Sequence, residues 1–413
     1  MNPAGFNELG GIMADSDLLI IGAGISGLSM AHYAAAAGWN VLVLEQEYRA
    51  GGCLHSHRFT GALDGFWLEL GAHSAFSSYG NLLEILESHH ALRRLQPRAK
   101  VGFRLFANGA VRRIPSQLAY SELLRAPFRL LGLIKTGRNI AEYYGHIVGP
   151  RNYAAVFEPA FSAVICQPAD QFPADSLFNP RPRRRDIPRS FTLHGGLQSL
   201  ADILAGSSGL RVELGQMVQN IQHSHGKFIV RTSSGDHTTR ALCLATPVAV
   251  ATRLLESEFP ELASHLAEVE TATVETVGVA IPKSQLNLPL LAGLIGRNEP
   301  FFSVVSRDVM PDPAYRGFSF HFRPGMLDEA GKRDCITRVL GLPNDLLTLT
   351  NIVRKNNQLP VLRVGHSERT QAIDRLLAKS RLALTGNYFA GIAIEDCVTR
   401  SQQEFSRLQQ EAE

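Results

Sequence analysis

The apolar run Leu18-Leu19-Ile20-Ile21 passes directly into Gly22-Ala23-Gly24-Ile25-Ser26-Gly27 and then into an Ala-rich stretch ending at Gly38. Few patterns constrain a fold as tightly, because they describe a strand, a tight turn and a helix in succession. Each glycine has a physical task. Gly22 makes the turn, Gly24 lets the backbone approach a pyrophosphate, and Gly27 allows the helix to pack closely on the strand. The phosphate would rest on the helix N-terminus, where unpaired amides favour an anion. A second apolar run, Val41-Leu42-Val43-Leu44, ends in Glu45, about 20 residues on, where a carboxylate can accept hydrogen bonds from both ribose hydroxyls. Alone, the glycines would suit any turn that needs small residues. With strand, helix, second strand and acidic end in register, they predict a dinucleotide site.

The chain has 413 residues, 45% of them hydrophobic, which is enough for a large core and for two interleaved domains. A formal charge of +3 argues against a nucleic-acid partner. Positive charge is concentrated at Arg181, Arg183, Arg184 and Arg185, which reads either as a solvated loop or as a patch for carboxylated substrates or an anionic membrane. The five cysteines form no C-x-x-C pair and have no His partners at zinc-site spacing, so neither a disulfide framework nor a metal site is expected, and a reducing cytoplasm fits. Residues 1–13 do not resemble a secretion signal, and 1–14 read as a disordered tail. No apolar run approaches the roughly 18 residues of a membrane span, so contact with the inner membrane would be peripheral.

After Glu45 comes Gln46-Glu47-Tyr48-Arg49-Ala50-Gly51-Gly52, which resembles the Arg-x-Gly-Gly element of the flavin-dependent amine oxidase superfamily. In that family its amides and arginine meet FAD phosphates, so the resemblance implies FAD rather than NAD. The family carries Arg or Lys straight after the double glycine, whereas this chain has Cys53. The resemblance extends over nearly the whole chain and is closest to the protoporphyrinogen oxidase branch. Glu69-Leu70-Gly71-Ala72-His73-Ser74 is similar to the segment that passes the flavin ring. Gly195-Gly196-Leu197-Gln198 resembles the element that returns to the nucleotide domain, and Val218 stands where a family strand lies against the adenine. Ala245-Thr246-Pro247 looks like the turn closing that half. The most specific match is Gly386-Asn387-Tyr388-Phe389-Ala390-Gly391-Ile392-Ala393-Ile394, similar to the family's closing turn and last helix.

The implied fold is α/β, a Rossmann-type FAD-binding domain over 15–75, 190–255 and 375–413, interleaved with a substrate domain over 76–189 and 256–374. The substrate domain would combine a mixed sheet with an inserted helical lobe at 111–165, where Leu124, Phe128, Leu131 and Ile134 can share a face, most economically a core face. The resemblance, with the glycine fingerprint, implies FAD contacts at Gly22, Ala23, Gly24, Ser26, Gly27, Glu45, Gln46, Arg49, Gly51, Gly52, Gly71, Ala72, His73, Val218, Ala245, Gly386, Asn387, Ile392, Ala393 and Ile394. Arg104 is the candidate substrate residue, weighed against a plain surface arginine, and His366 is balanced between packing and function. No nucleophile, carboxylate pair or metal cluster is apparent, and no catalytic residue is assigned; a flavin carries its own redox chemistry.

Three functions follow as expectations. The first is a protoporphyrinogen oxidase-like enzyme taking a small molecule, a tetrapyrrole among the candidates, with hydride transfer to flavin N5 and dioxygen as acceptor. The second is an oxidase or desaturase of an amine, amino acid or pathway intermediate, for which Lys283 is the nearest lysine to serve the flavin. The third is a non-catalytic binding protein that keeps the fold.

Overall fold

A computed structural model describes residues 13–343, 346–347 and 351–411. Strand β1 (Met13–Ile21), helix α1 (Ile25–Ala36) and strand β2 (Val41–Glu45) form the expected unit, with β1 and β2 parallel. Met13 and Ala14, expected within a disordered tail, instead open β1; residues 1–12 lie outside the described residues.

These strands enter a seven-stranded sheet in the order Leu210–Leu214, β2, β1, Gly235–Leu244, Lys227–Thr232, Val218–Ser224, with Leu382–Leu384 also paired to Gly235–Leu244. Apolar residues occupy both faces because helices cover both. Leu18, Ile20, Val41 and Val43 pack with α1 and with the helices Gln198–Ala205 and Ile394–Gln410. Leu19, Ile21, Leu42 and Leu44 pack with the helices Val248–Leu255, Pro260–Ala267 and His366–Leu377.

A second seven-stranded sheet runs Ile352–Val361, Glu270–Pro282, Tyr315–Phe322, Phe301–Ser306, Gly293–Gly296, Phe103–Ala107, Ala110–Arg112. Strand alternation sends Val277, Val279 and Ile281 into a core under the helix Glu329–Leu340. The opposite face carries small residues, Gly278 and Gly317, and against it lies the hairpin of β3 (Ser56–Arg58) and β4 (Trp67–Glu69) with the residues that follow. A Cβ at Gly317 would come within 2.8 Å of Leu68, and one at Gly278 within 2.9 Å of Leu70. Ser319 Oγ donates to Glu69 O at 2.6 Å and Asn357 Nδ2 to Leu70 O at 2.8 Å, fixing the segment 69–73 between the two sheets.

The region 111–165 is helical but broken into short pieces, and the expected apolar core face is a correction. Leu124, Phe128, Leu131 and Ile134 are 77%, 76%, 78% and 68% exposed. The helix Ala126–Leu130 is too short to hold all four on one face, and left-handed Gly132 and Gly137 divert the chain after it. Ile140, in contrast, is buried with Phe161, Ile165 and Phe172. Among the described residues no helix is long and apolar enough to cross a membrane. Within the arginine run, Arg181 pairs with Asp396, and Arg184 with Glu87 and Asp186, both at 2.6 Å.

Candidate functional site

The glycine turn is held from three sides. Gly22, at φ +104°, donates its amide to Leu44 O at 2.8 Å, and Ala245 donates to Ile21 O at 2.8 Å. A Cβ on Gly22 would stand 2.6 Å from Ala245 O, and one on Gly27 only 1.9 Å from Gly22 O. These glycines are therefore demanded by the protein itself. Gly24 differs, because nothing lies within 4 Å of where its Cβ would be. The crest of the turn faces open space.

Glu45 sits beside the turn, buried, its Oε2 accepting from the Ala23 amide at 2.7 Å and its Oε1 from the Glu47 amide at 3.0 Å. Gln46 is exposed beside it. Gly51 donates its amide to Ala23 O at 2.7 Å, and a Cβ on Gly52 would touch Gly24 Cα at 3.2 Å, so the double-glycine loop closes over the turn. Arg49 shapes that loop, with Nη1 donating to Ala50 O and Leu54 O at 2.8 Å and Nη2 to Gly52 O at 2.8 Å. Its side chain also reaches Gln198 Oε1 at 2.5 Å, and Gln198 Nε2 in turn donates to Ala50 O at 2.9 Å.

A residue that the sequence does not single out arrives here from the second sheet. Lys355, on the strand Ile352–Val361, donates from Nζ to Gly52 O at 2.5 Å. Burial lowers its ammonium to about 8, with neighbouring Arg49 adding to the shift and Cys53 opposing it.

The loop passes next to the segment 70–74. Ala72 donates its amide to Cys53 O at 2.9 Å, and a Cβ on Gly71 would lie 2.1 Å from that oxygen, so only glycine fits there. Burial lowers the His73 imidazole to about 3, reinforced by Arg98 and His321, and His73 lines a cavity of about 20 Å³ together with Glu69 and Trp67.

From the far end of the chain, Thr385 donates its amide to Leu244 O at 3.1 Å, and the adjoining Gly386-Asn387 turn leads to Ile392 and Ala393. Ala393 donates its amide to Asp396 Oδ2 at 3.2 Å where the last helix begins at Ile394. Ser401 Oγ, in that helix, donates to Ser26 O at 2.8 Å and so ties it to α1.

Two candidates stand differently. Val218 is buried in the core, two residues beyond Gln216, whose amide donates to Glu45 O at 2.8 Å. Arg104, half-buried on Phe103–Ala107, is not among the residues lining the cavity beside His73. His366 is buried, its Nε2 donating to Tyr388 O at 2.8 Å and Phe389 O at 3.0 Å, which ties the start of the helix His366–Leu377 to the turn that follows Leu384. Lys283 is exposed.

A family profile described as flavin containing amine oxidoreductase matches residues 25–316. Coproporphyrinogen III oxidase of Propionibacterium freudenreichii subsp. freudenreichii is 27% identical over 238 residues, 50% of this chain and 42% of that protein. The chain thus matches less than half the length of that relative. A structure from Exiguobacterium sp. 255-15, provisionally named a protoporphyrinogen oxidase, superposes with a TM-score of 0.78 at 19% identity, covering 97% of this chain and 100% of that one. A CLA-producing fatty acid isomerase from P. acnes gives 0.74 at 15% identity, covering 96% and 99%. At such identities the structural likenesses show the fold.

Proposed function

Because the chain belongs to the flavin containing amine oxidoreductase family it is an FAD-dependent oxidoreductase, and we propose that its substrate is a porphyrinogen. The observation that carries this reading is the similarity to the coproporphyrinogen III oxidase over half the chain. Bound FAD would supply the electron acceptor, taking a hydride from a substrate carbon at N5 and passing electrons to dioxygen.

The residues present fit that cofactor. The open crest at Gly24, the helix N-terminus behind it and the carboxylate of Glu45 offer a pyrophosphate cradle and a ribose acceptor. Gly71, Ala72 and His73 stand across Cys53 from this cradle, and Ile392, Ala393 and Ile394 lead into a helix start that favours negative charge. The cation missing at position 53 is supplied from another strand, since Lys355 reaches the carbonyl of the preceding Gly52. Lys355→Met should weaken FAD binding by roughly 10-fold, about 1.4 kcal/mol, measured by quenching of flavin fluorescence on binding. An unchanged affinity alongside a lowered melting temperature would make Lys355 a strut between sheet and loop.

Lys283, the lysine expected to serve an amine oxidase, is exposed in the turn just after the strand Glu270–Pro282. Anaerobic mixing with coproporphyrinogen III or protoporphyrinogen IX should bleach the flavin absorbance at about 450 nm, with porphyrin fluorescence appearing in air. A flavin that stays oxidised with both would remove the porphyrinogen reading and leave the cofactor assignment intact.

The exposed apolar residues between Tyr120 and Ile134 lie among Arg112, Arg113, Arg125, Arg129, Lys135 and Arg138, against the single acid Glu122. That combination supports peripheral contact with an anionic bilayer. Co-sedimentation should be stronger with phosphatidylglycerol vesicles than with phosphatidylcholine vesicles and should fall in Phe128→Glu; equal, weak sedimentation with both would dismiss the contact.

A further inference from the structure

The cavity beside His73 gathers buried hydrogen-bond donors that have no partner. Arg98 and Arg307 both line it, and Nε and Nη2 of Arg98 and Nε of Arg307 are buried with no partner. Thr192, also in the wall, has a buried Oγ1 with no partner. Native proteins rarely leave such groups unpaired, and an unpaired buried donor on a charged group is costlier still.

Among the described residues no wall side chain accepts a hydrogen bond from either guanidinium, though Glu69 attracts both through space and Asp312 attracts Arg307. Arg307 is clamped over the Trp67 ring at 4.3 Å and the Phe66 ring at 5.0 Å, and it donates from Nη1 to Met310 O. Glu69 is the one carboxyl lining the cavity, and it is turned away: Oε1 accepts from Leu197 N at 2.8 Å and Oε2 from Ser56 Oγ at 2.7 Å. Burial raises that carboxyl to about 7, against the pull of those two hydrogen bonds and of Arg307 and Arg98. Burial also keeps His73 near 3 and His321 near 4, so neither imidazole adds positive charge at neutral pH. Two cations therefore face a space of about 20 Å³, room for one small group rather than for a ring system.

We propose that this cavity is a binding site for one small monovalent anion, a carboxylate or a halide, held between Arg98 and Arg307 with Thr192 as an additional donor. A carboxylate of the substrate and a free anion share this chemistry, and only the first source rests on the porphyrinogen oxidase reading.

Thermal melting of the FAD-loaded protein tests the site, with sodium chloride replacing sodium gluconate at constant ionic strength. The wild type should show a saturable rise of roughly 2–5 °C. Arg98→Met breaks no hydrogen bond of the side chain and removes an unpaired charge, so it should fold, melt no lower than the wild type in gluconate, and lose the chloride response. Bromide-soaked crystals should carry an anomalous peak between the two guanidiniums in the wild type alone. Identical chloride responses in the two proteins, or no bromide at the site, would overturn the proposal. The source is read from steady-state kinetics: chloride raising KM for the porphyrinogen in the wild type but not in Arg98→Met assigns the site to a substrate carboxylate. An unchanged KM beside a saturable melting shift assigns it to a free anion.

Discussion

Gly24→Val is expected to yield a folded, colourless protein. The backbone at Gly24 has φ −72° and ψ 178°, an extended geometry that valine adopts readily. No protein atom lies within 4 Å of the added Cβ, so the chain itself accommodates the side chain. What the side chain fills is the open space in front of the helix N-terminus, where a pyrophosphate would approach the backbone. FAD affinity should fall by roughly 100-fold or more, at least about 2.7 kcal/mol. The circular dichroism and melting temperature should match those of flavin-free wild type. Retention of stoichiometric FAD would sink the assignment of this turn. Gly27 is the contrasting position: a Cβ there would sit 1.9 Å from Gly22 O, so Gly27→Ala damages the fold and cannot isolate the cofactor.

Asp308→Ala should cost about 3–5 kcal/mol of stability, because it strands a buried guanidinium. Asp308 and Arg316 are 4% and 5% exposed. Arg316 Nε donates to Asp308 Oδ1 at 2.8 Å and Nη2 to Oδ2 at 2.5 Å, while the Leu291 amide donates to Oδ2 at 3.1 Å. Alanine removes both carboxylate acceptors and with them all three bonds, leaving Arg316 only the carbonyls of Leu288 and Pro289. The loss is read from the urea midpoint of the flavin-free protein. Asp308→Leu combined with Arg316→Met should recover much of it, since replacing both partners leaves no orphaned charge. A single-mutant cost below about 1 kcal/mol would show that water reaches Arg316 and replaces the carboxylate.

The nucleotide half was legible because its signals are local. Apolar runs, glycines and Glu45 fall within 30 residues, and Gly22 and Gly27 among them answer to backbone demands that the structure repeats. The closing helix was legible for the same reason, with Ile394, Val398, Phe405 and Leu408 at helical spacing and all buried. The stripe at Leu124, Phe128, Leu131 and Ile134 misled because spacing reports what could share a face, while burial depends on what covers it. Lys355 was illegible for a different reason: it meets Gly52 across 303 positions of chain, through strand pairing in the other sheet. Arg98 and Arg307 likewise come from separate segments, and neither lies in a motif.

The bond from Ser401 to Ser26 spans 375 positions, and Leu382–Leu384 joins the first sheet at its middle. The opening strand and helix therefore wait, during synthesis, for almost the entire chain before their outer face is covered. High contact order of this kind slows folding and leaves apolar surface uncovered in the meantime. Cofactor capture is thus expected late in folding, once Leu382–Leu384 and the last helix have joined the first sheet and α1.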